Sequence, residues 1–386
     1  MTDAVAASGR TVLVANPSAD LYGSDRMLLE AVRAFRAAGD RVVVTCSVDG
    51  PLVPRLREAG AEVVVLASPI IRKSMLSPRG MLQLVRTTLS ALPRMRRLIR
   101  DTGADVVFAN TLTTPFWTLA ARLSRRPGVV YVHEAEASLS PASRRLLTAP
   151  LRLATGIVFN SETSLRVCRP SARPGIDRVW VVYNGVEGPA SITPPRERID
   201  GPVRVAYVGR LSPRKGVDLV VDAIAALREQ GVEAQADIVG DVFPGYEWYE
   251  AELRQRVAAL ELQDAIRFVG FLPSVWDAVA GADVAIVPSR ADESFGNVVI
   301  EAILSARPVV VADHTGLREA AAGFESTVLV RSDDAAAFAD GIRRIRDDWS
   351  GFRAQAIADA ERASTRFNTE RYQSEILSVM AQIAPR

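Results

Sequence analysis

The feature that most restricts the fold of this chain is a repeated alternation of short runs rich in Val and Ile with longer segments of helical periodicity. The short runs lack polar alternation, which is typical of parallel strands buried on both faces. We predict strands at residues 11–15, 41–46, 62–66, 105–109, 129–133, 156–160, 178–183, 203–208, 236–239, 266–269, 284–288, 308–312 and 327–330. Helical patterns, such as those at 25–38, 217–230, 297–305 and 334–346, lie between them. The pattern is that of an α/β fold built from βαβ units.

The alternation is interrupted over residues 184–202, which contain three Gly and four Pro and have no periodicity. This composition favours a linker or a long connection. A chain of 386 residues is also too long for one ordinary core. We therefore predict two doubly wound Rossmann-like domains facing across a cleft, residues 1–190 and 203–365, joined by a linker at 191–202. Ligands bind at the carboxyl ends of strands in such sheets, so the loops after the strands are the places to search.

Composition argues against a membrane-spanning or a secreted protein. No run of about 18 apolar residues is present, and the first ten residues have no apolar core of the kind a secretion signal needs. Cys46 and Cys168 are the only cysteines, which gives no disulfide framework and is typical of a cytoplasmic protein. Residues 1–195 carry 25 Lys and Arg against 15 Asp and Glu, whereas residues 196–386 carry 22 against 30. The basic half could meet an anionic acceptor or a membrane surface, or the asymmetry could be drift in surface composition.

The strand predicted at 203–208 is followed by a turn that reads GRLSPRKG over residues 209–216. Gly209 allows a close backbone approach, and Arg210 and Lys215 can point back toward the cleft. A guanidinium and an ammonium group together suit a diphosphate. The turn is not a Walker loop, which needs Gly directly before the Lys, where this chain has Arg214. The alternative is a basic turn with solvated charges.

Two glutamates eight residues apart, Glu293 and Glu301, lie on either side of a predicted helix start after the strand at 284–288. The turn at 294–297 has amide groups that can face the cleft, and a helix N-terminus favours anions. Glu301, one turn inside the helix, could accept hydrogen bonds from two ribose hydroxyls, and Glu293 could accept them from a sugar. This combination suits a nucleoside diphosphate sugar. Acidic residues near helix starts are also common stabilising features.

Taken together, these motifs resemble the retaining family 4 glycosyltransferases of the GT-B fold. GRLSPRKG at 209–216 and ESFGNVVIEA at 293–302 resemble the family's diphosphate loop and its Glu-x7-Glu motif. IVGD at 238–241, RFVGF at 267–271, ADVAIVPS at 282–289 and VYNGV at 182–186 resemble its strands. The resemblance covers most of residues 200–325 and is loose in the first half. It implies a donor site in the second domain, an acceptor site in the first, and a last helix, 366–386, that packs back on the first domain.

The resemblance also implies roles for individual residues. Arg210 and Lys215 would neutralise the donor diphosphate, Glu293 would hold the transferred sugar, and Glu301 would hold the ribose. Main-chain groups would contact the distal phosphate and the base. The implied donor-binding residues are Gly23, Gly209, Arg210, Lys215, Gly270, Phe271, Leu272, Glu293, Phe295, Gly296, Asn297, Val298 and Glu301. The implied catalytic residues are His133, Arg210, Lys215 and Glu293. The reaction would retain the anomeric configuration by front-side displacement, without a protein nucleophile.

The first half carries weaker signals. Gly23 follows the first strand where the family often has Gly-Gly; here Ser24 comes next, and Gly23 could still adopt an unusual backbone angle. Asp25 is interpreted as a helix-start residue. His133 ends the strand at 129–133, where the family has a His that reaches the sugar, although a lone His is often structural. The only other histidine, His314, is interpreted as peripheral.

No metal and no cofactor are expected, with the nucleotide sugar acting as substrate. The chain has no Asp-x-Asp motif, so the Mg²⁺ or Mn²⁺ clamp of the other common glycosyltransferase fold is absent. The Gly-x-Gly-x-x-Gly dinucleotide fingerprint is also absent. The predicted partners are a nucleotide-sugar donor and a hydroxyl acceptor, with no nucleic acid. Two alternatives stay open: a nucleotide-sugar epimerase on the same scaffold, and a non-catalytic nucleotide-sugar-binding protein.

One stretch could touch a membrane. Residues 63–100 contain no Asp or Glu but eight Lys and Arg. Apolar residues recur there at helical spacing, and Pro93 is expected to kink or end the helix. These residues are Met81, Leu82, Val85, Leu89 and Leu92. We expect the apolar stripe to face the core, while the basic remainder could lie on anionic headgroups at the inner membrane face. A second group, Phe243, Tyr246, Trp248 and Tyr249, could line the cleft, but ordinary packing is the simpler expectation.

Overall fold

The computed structural model describes residues 9–71, 77–169, 178–243 and 245–385. The chain divides into two compact units, the first formed by residues 1–185 and 369–386 and the second by residues 186–368. In the described residues, no helix is both long enough and apolar enough to cross a bilayer. Arg72 and Lys73 of the basic stretch lie outside the described residues.

The first unit is a parallel sheet with helices on both faces. Its strands, in the spatial order β3-β2-β1-β4-β5-β6-β7, are β1 (Thr11–Asn16), β2 (Arg41–Cys46), β3 (Glu62–Val65), β4 (Val106–Ala109), β5 (Gly128–Val132), β6 (Gly156–Phe159) and β7 (Val179–Val181). Its helices are α1 (Gly23–Ala37), α2 (Leu52–Glu58), α3 (Pro78–Asp101), α4 (Phe116–Leu123), α5 (Pro141–Thr148), α6 (Glu162–Cys168) and α14 (Thr369–Ile383). Both faces of β1 are buried, Val12 and Val14 in one core and Leu13 in the other. This explains why its apolar run lacks alternation.

The last helix, α14, packs on the first unit. Tyr372 and Ile376 are fully buried in the core beneath α1. The Tyr372 hydroxyl donates to the carbonyl of Met27 at 3.0 Å, and Arg10 donates to the carbonyl of Ala384 at 2.8 Å. The apolar face of α14 and these two bonds explain why the chain returns to the first unit after residue 368.

The second unit is also a doubly wound parallel sheet. Its strands, in the order β10-β9-β8-β11-β12-β13, are β8 (Val203–Val208), β9 (Ala234–Val239), β10 (Ile266–Gly270), β11 (Val284–Val287), β12 (Val309–Ala312) and β13 (Thr327–Val330). Its helices are α7 (Val217–Glu229), α8 (Glu247–Ala259), α9 (Trp276–Ala280), α10 (Asn297–Leu304), α11 (Thr315–Ala321), α12 (Ala335–Asp347) and α13 (Trp349–Arg366). The strand predictions match these strands within a few residues at either end.

The segment expected to be a linker at 191–202 is fastened to the second unit. Arg196 makes a bidentate ion pair with the buried carboxylate of Asp283, at 2.6 and 2.7 Å. The fully buried guanidinium of Arg307 donates to the carbonyl of Thr193 at 3.0 Å. Burial lowers the pKa of Arg307 to about 10. The sequence pattern could not predict these bonds, because the Gly and Pro residues give the segment no periodicity that would indicate a packed face.

Two expectations for α3 are wrong in part. The helix does not end at Pro93 but continues to Asp101, because packing of its second half outweighs the one backbone hydrogen bond that Pro removes. In the apolar stripe, Leu92 packs against the core, whereas Met81, Leu82, Val85 and Leu89 are exposed. The residues of α3 that pack in the core of the first unit are Ala91, Leu92, Met95, Leu98 and Ile99.

Candidate functional site

Three neighbouring strands of the second sheet end in glycines with positive φ. Gly209 follows β8 (φ 153°), Gly240 follows β9 (φ 138°), and Gly270 ends β10 (φ 80°). The Gly240 amide donates to the carbonyl of Gly270 at 2.8 Å. A Cβ on Gly240 would lie 1.8 Å from the Gly209 carbonyl oxygen, so only glycine fits there. The loops after β8, β9 and β10 therefore lie side by side at the carboxyl edge of the sheet.

The turn after β8 lies directly against the end of β11. Pro213–Lys215 form one 3₁₀ turn, and Gly216 (φ 68°) is the N-cap residue before α7. A Cβ on Gly216 would lie 2.3 Å from the Pro288 carbonyl oxygen. The amides of Arg290 and Ala291 donate to the carbonyl of Arg214 at 2.9 and 3.2 Å. Backbone contacts thus hold the predicted diphosphate loop against the loop that carries Glu293.

Two of the predicted site residues are in direct contact. The Lys215 ammonium donates to Glu293 Oε1 at 2.6 Å. The Glu293 amide donates to Thr315 Oγ1 at 3.0 Å, and the Gly316 amide donates to the Glu293 carbonyl at 3.0 Å. His314 Nδ1 lies 2.9 Å from the same Thr315 hydroxyl. The start of α11, which follows β12, therefore fixes the backbone of Glu293, a role that the sequence did not reveal because nothing in a Thr-Gly pair indicates its partner.

Arg210 is held beside the loop after β9. Its guanidinium carbon lies 3.3 Å from the centroid of the Phe243 ring. This cation–π arrangement fixes the orientation of the Arg210 guanidinium. The Tyr207 hydroxyl donates to the Arg210 carbonyl at 2.9 Å. The amide of Leu211 donates to the Asp241 carbonyl at 3.0 Å. Phe243 thus has a more specific position than the ordinary packing expected for it, whereas Tyr246 and Trp248 are exposed.

The start of α10 follows the predicted Glu-x7-Glu arrangement. Gly296, at φ 113°, precedes the first helical residue, Asn297. Glu301 lies one turn inside the helix and is only 6% exposed. The Phe295 ring is buried 5.4 Å from the Phe367 ring, so only its main chain can reach a ligand. In the loop after β10, by contrast, the Phe271 side chain is exposed.

Sequence analysis missed an ion pair that joins two site loops. The Arg290 guanidinium, just after β11, donates to both oxygens of Asp218 in the first turn of α7, at 2.6 and 2.8 Å. The Tyr249 hydroxyl also donates to Asp218, at 3.0 Å. Burial alone would raise the pKa of Asp218, but these bonds outweigh it and hold the pKa below its usual value. Both residues follow strands at the same sheet edge, which is the only signal that could have suggested the pair.

Gly23 and Asp25 lie in the first turn of α1 in the first unit. Asp25 accepts a hydrogen bond from the Tyr22 amide at 3.3 Å, as expected for a helix-start residue. Gly23 is the first residue of α1 and is not among the positive-φ residues of the described chain. Gly23 therefore does not adopt the unusual backbone angle that a glycine permits, because the residue is part of the helix.

His133 and Glu134 directly follow β5. The centroid of the His133 ring lies 4.0 Å from that of the Tyr131 ring, with the two planes tilted by 55°, and its Nε2 is enclosed with no hydrogen-bond partner among the described residues. Burial lowers the pKa of His133 to about 3, so the ring is neutral at pH 7. The Glu134 carboxylate accepts hydrogen bonds from the amides of His133 and Leu112, at 2.9 and 3.2 Å. Burial raises the pKa of Glu134 to about 7.

Two family models match the chain. Residues 22–187 match "Glycosyltransferase Family 4", and residues 192–363 match "Glycosyl transferases group 1". The D-inositol 3-phosphate glycosyltransferase of Salinispora tropica is 35% identical over 48% of this chain and 40% of its own length. The first relatives found match over about half of their own length or less. The 2-deoxystreptamine glucosyltransferase of Streptomyces kanamyceticus is 27% identical over 86% of this chain and 92% of its own.

Solved structures have the same fold. Anabaena HepE, solved in complex with UDP and glucose, superposes with a TM-score of 0.79 over 96% of this chain and 99% of its own, at 24% identity. The two parallel α/β units and the order of their strands agree with that fold class. With both family models matching and the two predicted motifs meeting at one sheet edge, the chain belongs to the family 4 glycosyltransferases of the GT-B fold.

Proposed function

We propose that this protein transfers a glycosyl group from a nucleoside diphosphate sugar to a hydroxyl acceptor, with retention of configuration and without a metal ion. The observation that carries the proposal is the 2.6 Å contact between Lys215 and Glu293. It pairs a cation suited to the leaving diphosphate with a carboxylate suited to the transferred sugar. Glu301, buried one turn into α10, is the carboxylate that we assign to the ribose hydroxyls.

The chemistry requires charge stabilisation at the leaving group. The bond between C1 of the sugar and the diphosphate oxygen breaks, and its electron pair stays on the diphosphate. The acceptor oxygen attacks C1 from the same face, and its proton passes to the departing phosphate oxygen. Arg210, Lys215 and the amides at the start of α10 stabilise the negative charge as it develops. Lys215 and Glu293 form an ion pair in the structure, and in the proposed donor complex the diphosphate and the sugar hydroxyls become their partners.

The acceptor is assigned to the first unit, where His133 is a neutral side chain at the end of β5. We propose His133 as a group that contacts the transferred sugar. The relatives named above act, by name, on an inositol phosphate and on 2-deoxystreptamine, both polyhydroxylated rings. A glycan, a lipid-linked sugar or a small hydroxylated metabolite fits the same chemistry, and the proposed setting is polysaccharide, glycolipid or metabolite glycosylation.

The test is incubation with UDP-, GDP- and ADP-sugars, with and without hydroxylated acceptors, in EDTA. The proposal expects acceptor-dependent release of nucleoside diphosphate that EDTA does not reduce, and a product whose anomeric configuration, read by proton NMR, matches the donor. Release of an isomerised sugar without acceptor would support an epimerase instead. Binding without turnover would support a non-catalytic binding protein, and inhibition by EDTA would overturn metal independence.

A further inference from the structure

The N-terminal half of α3 carries an apolar stripe that nothing covers among the described residues. Met81, Leu82, Val85 and Leu89 have exposed fractions of 43%, 61%, 54% and 66%. They are spaced three and four residues apart, so they lie on one side of the helix. Exposed single apolar residues are ordinary, but four large ones in one stripe indicate a surface that binds something.

The stripe lies N-terminal to most of the residues that anchor α3. Thr88, Ala91, Met95 and Ile99 are buried against the first unit, and three of them belong to its core. At 100° per residue, Met81 to Leu89 occupy an arc of about 100° beside this anchoring side. The helix is therefore held by its inner face and second half, while the first three turns present the stripe outward.

Arginines border the stripe. Leu82 lies between Arg79 and Arg86, three and four residues away, and Leu89 follows Arg86 by three. Neither arginine forms an ion pair within the described part of the chain, and residues 63–100 contain no Asp or Glu. An apolar stripe edged by cations without acidic neighbours matches the boundary between acyl chains and anionic headgroups.

We propose that residues 78–89 of α3 form a membrane-binding face that lies flat on an anionic lipid bilayer. The apolar stripe enters the boundary between headgroups and acyl chains, and Arg79 and Arg86 extend to lipid phosphates. A second copy of the chain fits less well, because it would bring the arginine rows together, and four side chains are small against the roughly 800 Å² per partner of a stable interface. This inference goes beyond glycosyl transfer and does not depend on it.

The test is sedimentation of the full chain with phosphatidylcholine vesicles and with phosphatidylcholine/phosphatidylglycerol vesicles, without nucleotide. The wild type is expected to bind the anionic vesicles and to be released as salt rises, since screening weakens the attraction. Leu82→Asp/Leu89→Asp and Arg79→Glu/Arg86→Glu should each lower the partition coefficient by about tenfold or more. Leu260→Asp is the matched control, because Leu260 is a 41% exposed apolar residue of the second unit.

Because the substituted side chains are exposed, folding should persist, and circular dichroism together with nucleotide-induced thermal stabilisation checks this. Equal binding of the wild type to neutral and anionic vesicles, or to neither, would overturn the proposal. So would a dimer, seen by light scattering without vesicles, that the α3 substitutions dissociate. If the wild type binds no nucleotide, that result counts against the glycosyl-transfer proposal. The vesicle-binding result can still be interpreted in that case.

Discussion

Lys215 and Glu293 form the residue pair on which the proposed chemistry depends. Replacing Lys215 by Ala removes the ammonium that we propose stabilises the departing diphosphate, and preorganised groups of this kind are worth about 10²–10³ in turnover. We therefore expect Lys215→Ala to lower kcat by that factor, measured as acceptor-dependent nucleotide release at saturating donor.

Arg214→Ala is the matched control for that prediction. Arg214 is the adjacent cation, its side chain is exposed, and its contribution to the site is its carbonyl, which accepts from the amides of Arg290 and Ala291. Near wild-type turnover is expected. If Lys215→Ala and Arg214→Ala were equally active, the phosphate role of Lys215 would be wrong.

Glu301 supports a prediction about the nucleotide rather than the sugar. If its carboxylate accepts bonds from ribose hydroxyls, Glu301→Ala should weaken nucleoside diphosphate binding by about ten- to a hundredfold. The wild type should also bind the 2′,3′-dideoxynucleotide more weakly, by a similar factor. Calorimetry should find that Glu301→Ala no longer distinguishes the two nucleotides; a variant that keeps this discrimination would exclude ribose contact.

Glu134 makes the stability of the first unit depend on pH. Burial raises its pKa from 4.5 to about 7, so its contribution is fully present below about pH 4.5 and is lost as the pH rises through 7. Relative to Glu134→Gln, the wild type should lose up to about 3 kcal/mol of unfolding free energy over this range. Chemical denaturation at several pH values measures the difference in unfolding free energy between the wild type and Glu134→Gln. His133 has the opposite pH effect, but it is present in both proteins and cancels in the difference. The exposed Glu58→Gln serves as control, and a pH-independent difference for Glu134→Gln would contradict the account.

The proposed site residues that the sequence could suggest are those in local motifs. These residues follow strands at fixed spacings, and their types at those spacings suggest the proposed chemistry. They are Arg210, Lys215, Glu293 and Glu301. Thr315 could not be found this way, because its value lies in a bond to a backbone amide of another loop. Such partners are chosen by tertiary packing, which leaves no period in the sequence.

At the scale of elements, the Arg290–Asp218 pair joins the loop after β11 to the start of α7. Arg290→Met would leave a half-buried carboxylate without its main partner, at a cost of about 1–3 kcal/mol in unfolding free energy. The loosened loop carries Glu293, so kcat should fall as well. Calorimetric unfolding and steady-state kinetics measure the two effects.

Arg343→Met is the control for this pair, because Arg343 forms an exposed ion pair with Asp340 within α12. Exposed pairs of this kind contribute little. The double variant Arg290→Met/Asp218→Asn should be less destabilised than the sum of its single variants. Additive losses would mean that the two side chains do not act together.

Helix α3 illustrates where periodicity fails as a guide. The spacing of Met81, Leu82, Val85 and Leu89 correctly predicts a helix, but the same spacing fits a stripe that faces a core or one that faces outward. Which of these occurs depends on where the neighbouring helices lie. The expectation that the helix could end at Pro93 failed for a related reason, since anchoring residues on both sides of it hold the helix together.

At the scale of the whole molecule, the two βαβ series and the break between them were predictable. Buried parallel strands must be apolar on both faces, and each Val-rich run in the sequence meets that requirement. The exact boundary between the two units was harder to predict. Residues 186–202 belong to the second unit because of long-range bonds made by Arg196 and Arg307. The resemblance that implied an acceptor role for the first half rests on fewer matching residues there.

We propose above all that the second unit binds a nucleoside diphosphate through Lys215 and Glu301. Calorimetric titration in EDTA with UDP, GDP and ADP, and with each corresponding monophosphate, tests it most directly. We predict that the wild type binds at least one diphosphate more tightly than its monophosphate, that Lys215→Ala loses this preference, and that Glu301→Ala binds both more weakly. No binding by any nucleotide, or equal wild-type affinity for the diphosphate and the monophosphate, would contradict it.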